Sequence, residues 1–83
     1  MTLGTSVYIL QSERTPSRYY TGLSSDVQAR LVTHNAGHCR HTRSGAPWKV
    51  IVTVDFADAR RAIDFERYLK SGSGCAFAKR HFR

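Results

Sequence analysis

Residues 5–23 have the sequence TSVYILQSERTPSRYYTGL and decide the fold that we predict. Two segments within it, residues 5–11 and 18–23, are rich in β-branched and aromatic residues, which favour strands. The polar loop between them contains Pro16, and two such segments joined by a short loop are typical of an antiparallel hairpin. We therefore expect two paired strands here.

The segment after the hairpin has the signals of a helix. Ser25 and Gln28 have the spacing of a capping box, and Asp26 adds negative charge to the first turn. The helix is predicted to run to about Asn35 and to be ended by Gly37. Residues 48–56, WKVIVTVDF, form a near-continuous apolar run that is typical of a buried central strand.

The remaining residues predict two more helices. The first spans about residues 58–70, and the sequence SGSG at residues 71–74 ends it. Phe77 and Phe82 then indicate a short third helix. The predicted fold class is α+β: a small sandwich in which helices flank a three-stranded, mostly antiparallel sheet. Residues 1–83 are expected to form a single domain, because this length supports one modest core.

The charge of the chain points to a polyanionic partner. Lysine and arginine number 13 against 6 acids, which gives a net charge of +7, and ten of the 13 are arginines. The planar guanidinium fits two phosphate oxygens, so this bias suits phosphate contact. A basic RNA-associated structural protein fits the composition equally well.

The acids are unevenly placed along the chain. The sequence has no acidic residue from Val27 to Val54, and four of the six acids lie between Asp55 and Glu66. Two basic segments therefore flank one acidic patch, which suits a phosphate track around a metal site.

Two cysteines, Cys39 and Cys75, are too few for a disulfide framework, and no signal peptide or membrane span is evident, so we expect a cytoplasmic protein that does not enter the membrane. Cys39 lies between His38 and His41, a grouping that suggests zinc. No second pair follows at finger spacing, and the pattern therefore does not favour a structural zinc site.

Glu66 is expected to point inward on the second helix. A helical wheel places it within the apolar face formed by Ala59, Ala62, Ile63 and Leu69. Because an unpaired buried charge is costly, Glu66 must be paired with an arginine, protonated or bound to a cation. A purely structural ion pair is the alternative to a metal site.

Other polar residues are predicted to face the sheet. Arg30 and His34 lie four apart on the first helix, beside its apolar stripe. A solvated arginine and an inert histidine are the alternatives. Tyr8 and Tyr20 lie in the hairpin, where simple packing is common, but a tyrosine beside Arg30 also shares its proton more readily and can act as a proton acceptor.

The ordered set of these residues resembles the GIY-YIG nucleases over nearly the whole chain. Ser6-Val7-Tyr8 and Tyr20-Thr21-Gly22 are similar to the two triplets of that family, and the final glycine and both tyrosines are retained. Further similar segments are DVQARL at residues 26–31, HNAG at 34–37, Thr42, PWKV at 47–50 and AIDFERYLK at 62–70. This family includes the N-terminal nuclease domain found in the bacterial excinuclease and small stand-alone bacterial proteins.

The resemblance implies a hydrolase: a metal-dependent DNA endonuclease, structure-specific and linked to DNA repair or recombination. Glu66 would be the protein ligand of Mg²⁺ or Mn²⁺, with waters filling the other positions. Arg30 would offset charge on the phosphate, Tyr8 would help to deprotonate water, and Tyr20 and His34 would orient water or phosphate. The choice of Tyr8 or Tyr20 as the base stays open.

Basic residues outside the reaction centre are candidates for DNA backbone contact. These are Arg40, His41, Arg43, Lys79 and Arg80. Lys70 either contacts a flanking phosphate or forms a helix salt bridge with Glu66. The alternative function is a non-catalytic nucleic-acid-binding module of the same fold. A protein partner that supplies specificity is compatible with a chain this short, and the sequence leaves the oligomeric state open.

Overall fold

The structure is a computed structural model that describes residues 4–83. It contains three strands and three helices in the order β1–β2–α1–β3–α2–α3. Their bounds are β1 Thr5–Ser12, β2 Tyr19–Ser24, α1 Val27–Asn35, β3 Trp48–Phe56, α2 Ala59–Leu69 and α3 Gly72–His81. A 3₁₀ turn at Arg43–Gly45 lies in the loop before β3. The predicted α+β class with a three-stranded sheet is confirmed.

β1 is the central strand of the sheet. The strand order is β2–β1–β3, and both pairings are antiparallel, so that Tyr8 lies between Gly22 and Thr53. The prediction of a buried central strand at residues 48–56 is therefore wrong, because β3 lies at an edge. Among the described residues of β3, Trp48 alone is buried. An apolar run indicates packing on the faces of a strand, whereas its position in the sheet depends on which strands pair beside it.

The side chains of β1 enter two separate cores. Val7 and Ile9 pack with residues of α2 and α3 on one face of the sheet. Tyr8 and Leu10 pack on the other face with Trp48 and with partly buried residues of α1. This alternation follows from the pleat of a strand, which points successive side chains to opposite faces. The molecule is a three-layer sandwich, and Tyr8 belongs to the α1 layer.

The ends of α1 show one confirmed prediction and one correction. Gly37 adopts φ +80°, a conformation that favours glycine, and it follows the end of the helix as expected. The predicted capping residue, Ser25, is off by one position. Asp26 is the N-cap, and its side chain accepts a hydrogen bond from the backbone N–H of Ala29 at 3.1 Å. Aspartate caps as well as serine, so adjacent candidates are hard to distinguish by sequence.

The junction between α2 and α3 is tight. Ser71 caps α3 by accepting a hydrogen bond from the N–H of Gly74 at 3.2 Å. Gly74 is buried, and a Cβ there would overlap the backbone carbonyl of Tyr68. The predicted break after α2 is therefore correct, although α3 begins within it at Gly72. No helix in residues 4–83 combines the length and apolarity that a membrane crossing requires.

Candidate active site

Three residues that the sequence singled out form one aromatic group on the α1 face of the sheet. Tyr8 comes from β1, Tyr20 from β2 and His34 from α1. The ring centroids of Tyr20 and His34 are 4.7 Å apart, those of Tyr8 and His34 are 6.1 Å apart, and those of Tyr8 and Tyr20 are 6.3 Å apart. The sheet pairing and one helix thus bring together residues that are up to 26 positions apart in the sequence.

Gly22 makes room for Tyr8 in this group. It lies opposite Tyr8 in the β1–β2 register, and it is buried. A Cβ at Gly22 would overlap the phenol ring and hydroxyl of Tyr8. The glycine of the second family-like triplet is therefore the residue that allows the tyrosine of the first triplet to lie across β2.

Arg30 lies one helical turn before His34 on α1, close enough to Tyr8 for each residue to shift the pKa of the other. Burial raises the pKa of Tyr8, while hydrogen bonding and the charge of the Arg30 guanidinium act to lower that pKa. The same contact with Tyr8 raises the pKa of Arg30. Any negative charge on the phenol oxygen therefore has a cation beside it.

His34 is completely buried and has a partner on each ring nitrogen. Its Nε2 lies 3.0 Å from the hydroxyl oxygen of Tyr8, and its Nδ1 lies 2.8 Å from Oγ1 of Thr42. Burial and, to a smaller extent, the charge of Arg30 lower the pKa of His34. The imidazole is therefore neutral near pH 7, and a neutral imidazole has one nitrogen free to accept a proton.

Thr42 is a residue of this site that sequence reasoning did not single out for a role. It is buried in the loop before β3, and its hydroxyl is within reach of the carbonyl oxygen of Cys39 at 3.4 Å. Trp48 fixes it further, because the indole N–H donates to the carbonyl oxygen of Thr42 at 2.7 Å. No sequence signal marks a threonine eight residues after His34 as its partner, since the contact depends on the path of the loop.

Asn35 ties the end of α1 to the start of β3. Its side-chain amide donates to the carbonyl oxygen of Trp48 at 3.1 Å, and its side-chain oxygen accepts from the N–H of Trp48 at 2.6 Å. Arg18 adds to this region, since its guanidinium donates to Ser44 Oγ at 2.8 Å and lies 5.6 Å from the Trp48 ring centroid. These contacts hold the loop that carries Thr42 against His34.

Glu66 belongs to α2 and therefore to the layer on the other face of the sheet. Its side chain is 16% exposed and forms an ion pair of 2.5 Å with Lys70, which is 55% exposed. The expected inward placement of the carboxylate is thus present, with a lysine as its partner. The apolar face around it is narrower than expected, because Ala62 and Leu69 are buried whereas Ala59 and Ile63 are exposed.

A cleft lies between one residue of the aromatic group and the lysine that pairs with Glu66. It has a volume of about 360 Å³, and its walls include Tyr20 from the aromatic group and Lys70, the partner of Glu66. Within residues 4–83, no ion pair or hydrogen bond joins Glu66 directly to the aromatic group. A ligand in this cleft can therefore contact Tyr20 and Lys70 together, and Lys70 is the residue that links the cleft to Glu66.

The candidate DNA-contacting residues lie in both helical layers. Arg40, His41 and Arg43 are exposed in the loop after α1, and Arg43 Nε donates to the carbonyl oxygen of Gly37 at 3.1 Å. Lys79 and Arg80 are exposed on α3, on the other side of the sheet. The structure thus divides these cations between two surfaces.

Comparison with known proteins adds a family match. A family model described as the GIY-YIG catalytic domain matches residues 5–76. The structure-specific endonuclease subunit SLX1 of Scheffersomyces stipitis is 40% identical over 67 residues, which cover 72% of this chain and 20% of that protein. The UPF0213 protein YsiG of Lactococcus lactis is 37% identical over 65 residues, which cover 76% of this chain and 60% of that protein.

One solved structure is also similar. The solution NMR structure of the UPF0213 protein BH0048 from Bacillus halodurans aligns with this chain at a TM-score of 0.49 and 29% identity. The alignment covers 81% of this chain and 70% of the Bacillus chain. The chain spans about a fifth of the length of the Scheffersomyces protein and 60% of the Lactococcus protein.

Proposed function

We propose that this chain, which belongs to the GIY-YIG catalytic domain family, is a metal-dependent endonuclease that hydrolyses phosphodiester bonds in DNA. The observation that carries the proposal is the grouping of Tyr8, Tyr20, Arg30 and His34, in which Tyr20 lines a cleft that also reaches Lys70. Proton acceptors and a cation are both needed to activate water and to stabilise a charged phosphorane. This group supplies both within one site.

Glu66 is the residue that we assign to the metal ion. In residues 4–83 no group of three or more His, Cys, Asp or Glu side chains is placed to hold a metal, so a site with several protein ligands is not supported there. A single half-buried carboxylate suits a hard cation that keeps most of its waters, such as Mg²⁺ or Mn²⁺. Lys70, which pairs with Glu66, is largely exposed and can move away when another cation binds. A bound divalent ion would polarise the phosphate and neutralise negative charge.

Tyr8 and His34 are the residues that we assign to water activation. As the water oxygen forms its bond to phosphorus, one water proton passes to the Tyr8 oxygen, and the hydroxyl proton of Tyr8 passes to Nε2 of His34 across the 3.0 Å contact. The bond from phosphorus to the departing sugar oxygen breaks, and that oxygen takes a proton from solvent. The contact with His34 favours Tyr8 over Tyr20 as the base, and Tyr20 orients the water or phosphate from the cleft.

Arg30 has two roles in this scheme. While Tyr8 is transferring its proton, the guanidinium stabilises negative charge on the phenol oxygen. Its remaining donors can bind the phosphate oxygens as charge builds on them, because a guanidinium presents several N–H groups in one plane. The same cation therefore couples activation of the water to stabilisation of the transition state.

The substrate that we propose is branched or flapped DNA, in repair or recombination. This assignment rests on the Scheffersomyces relative, whose name describes a structure-specific endonuclease subunit. Exposed cations on both helical layers are suited to contact DNA segments that leave a junction in different directions. That relative is a subunit by its name, and we propose that a partner protein supplies part of the specificity of this chain.

A second function is favoured by one specific observation. The Glu66–Lys70 ion pair satisfies the inward carboxylate without a metal, as a structural pair would. In that case the chain is a nucleic-acid-binding module of the same fold. The module would bind the same DNAs but leave them intact with or without metal.

The test uses a panel of flapped, branched and duplex DNAs incubated with the chain in the presence of Mg²⁺, Mn²⁺ or a chelator. We expect cleavage of at least one branched DNA with metal and none with chelator. Glu66→Gln should abolish cleavage while leaving DNA affinity and the melting temperature close to wild type. Asp64→Asn is the matched control, because Asp64 is an exposed carboxylate of the same helix, and it should cleave normally.

Two results would change the assignment. If Glu66→Gln melts much earlier and still cleaves at the wild-type rate, Glu66 is a structural residue. Removal of one partner of a buried ion pair costs about 3–5 kcal/mol, and the loss here should be smaller because Lys70 is 55% exposed. If the wild-type chain binds the DNAs but cuts none of them with either metal, the binding module is the correct function.

A further inference from the structure

A chain of polar groups extends from the aromatic group into the loop before β3. It runs from the Tyr8 hydroxyl to His34, then to the Thr42 hydroxyl and the carbonyl oxygen of Cys39, with spacings of 3.0, 2.8 and 3.4 Å. Tyr8, His34 and Thr42 are each at most 1% exposed, so bulk solvent does not compete for these partners. Each proton in the chain must therefore lie between two of these groups.

The direction in which these hydrogen bonds donate follows from the Tyr8 end of the series. The pKa of Tyr8 is raised, so the hydroxyl keeps its proton near pH 7 and must donate it. A guanidinium has donors and no acceptor, so Arg30 cannot receive that proton. Nε2 of His34 can receive it, and it must then be unprotonated. Because a neutral imidazole carries one proton, that proton lies on Nδ1.

The Thr42 end of the chain agrees with this direction. Nδ1–H needs an acceptor, and Oγ1 of Thr42 at 2.8 Å provides a lone pair. The hydroxyl of Thr42 then donates its own proton to the carbonyl of Cys39, a group that can only accept. All three buried side chains are satisfied in this single arrangement. With the opposite tautomer, the Tyr8 hydroxyl proton would have no acceptor among these groups.

We propose that Thr42 is a positioning residue that holds His34 in the tautomer protonated on Nδ1, and so keeps Nε2 ready for the proton of Tyr8. The catalytic part of this inference rests on the proposed nuclease function, whereas the tautomer itself does not. When His34 receives the second proton, the Thr42 oxygen still accepts from Nδ1–H and stabilises the resulting cation. A base oriented by a third group is a common arrangement in catalytic sites.

The tautomer can be measured directly by NMR of the chain labelled with ¹⁵N-histidine, because the shifts of the two ring nitrogens show which one carries the proton. His34→Gln identifies the signals of His34 among the four histidines. We expect Nδ1–H in the wild type and in Thr42→Ser, which keeps the hydroxyl. Thr42→Val keeps the shape but removes the acceptor, and its His34 should move to Nε2–H or to a mixture of tautomers.

Cleavage of the flapped DNA should follow the tautomer. A positioned base typically contributes about 10²–10⁴ in rate, so we expect Thr42→Val to be about tenfold to a hundredfold slower. Thr42→Ser should recover most of the wild-type rate. Thr33→Val is the matched control, because the Thr33 hydroxyl donates to the carbonyl oxygen of Ala29 and lies outside the chain of groups. It should leave both the tautomer and the rate unchanged.

The outcomes separate this inference from the proposed function. A wild-type His34 protonated on Nε2 overturns the inference even if Thr42→Val fails to fold, and so does an Nδ1–H signal that persists in a folded Thr42→Val. If the tautomer shifts as expected but the wild-type chain cuts no DNA, the positioning role of Thr42 stands and the nuclease function fails.

Discussion

Substitution of Arg30 should lower the rate of DNA cleavage far more than it lowers the affinity for DNA. Its contact with the buried Tyr8 places it in the proposed reaction centre, where it acts on charge that exists during the reaction. Arg30→Ala should slow cleavage by about 10²–10³, the usual effect of removing one transition-state donor. Affinity for the uncut DNA should fall much less.

Arg43→Ala is the control for this prediction, because Arg43 is an exposed arginine whose guanidinium contacts the Gly37 carbonyl outside the aromatic group. It should weaken binding slightly and leave the rate at saturating DNA unchanged. The two effects are measured by single-turnover cleavage and by equilibrium binding to DNA without metal. A wild-type rate for Arg30→Ala would exclude the proposed role.

His34 should make the free energy of unfolding depend on pH. Its pKa in the folded chain lies below the usual value of about 6.5. Below pH 6.5 the unfolded chain therefore binds a proton that the folded chain does not, and the folded state loses stability as the pH falls towards the folded pKa. Above pH 6.5 the histidine is neutral in both states and adds no slope.

Denaturant unfolding between about pH 4 and pH 8 measures this slope. His34→Gln should be less stable overall but should lose the histidine contribution to the slope. His38→Gln replaces an exposed histidine of the adjacent loop and should retain that contribution. An unchanged slope in His34→Gln would contradict the burial of a neutral imidazole at this position.

The β1–β2 pairing requires a residue without a side chain at position 22. A Cβ at this position would collide with the ring of Tyr8, and both residues are buried between α1 and the sheet. Gly22→Ala should therefore displace Tyr8 from His34, lower the free energy of unfolding by about 1–3 kcal/mol and slow cleavage strongly. Thr53→Ala, at the exposed β3 position opposite Tyr8, should change neither the rate nor the stability much. Normal cleavage by Gly22→Ala would contradict this packing.

Several elements follow directly from local sequence signals. Gly37 ends α1 because it adopts a conformation that favours glycine, and the hairpin at residues 5–24 follows from two β-favouring segments around a polar loop. The position of β3 at an edge did not follow from its apolar composition, because long-range pairing with β1 decides it. Ser25 and Asp26 could not be separated as caps, since both residue types satisfy the same N–H groups.

Candidate site residues could be predicted where a polar side chain interrupts an apolar helical face. Arg30, His34 and Glu66 are polar residues on or beside apolar helical faces, and the helical period reveals them. Thr42 is a polar residue in a polar loop, so the sequence does not distinguish it from its neighbours. Its contact with His34 depends on the contacts that hold that loop to Trp48. For Lys70 the sequence left two interpretations open, because its i to i+4 spacing from Glu66 permits an ion pair and its position at the end of the helix permits contact with a flanking phosphate.

At the scale of the whole molecule, the net charge of +7 should dominate the strength of DNA binding. Cations that neutralise phosphates release counterions, so log K should fall linearly with log salt, with a slope of about −0.9 for each phosphate contacted on duplex DNA. Arg80→Ala on α3 and Arg40→Ala in the loop after α1 should each reduce this slope by about one if both surfaces contact DNA.

Titration of a fluorescent flapped DNA at several salt concentrations measures these slopes. Glu13→Gln, which removes an exposed acid from the hairpin loop, is the control and should not reduce the slope. A slope that changes with Arg40 but not with Arg80 would assign DNA contact to the α1 side alone. An affinity that does not depend on salt would contradict binding through phosphates.

The central position of β1 also determines which backbone amides exchange with deuterium last. β1 is hydrogen-bonded on both sides, and Val7 to Leu10 are at most 1% exposed, whereas β2 and β3 each have an open edge. Amides of β1 should therefore exchange only through global unfolding, while outward-facing amides of β2 and β3 exchange through local opening. Mass spectrometry after deuterium labelling should find the greatest protection in the peptide around Tyr8, and this proposed base would keep its place through every local opening of the outer strands.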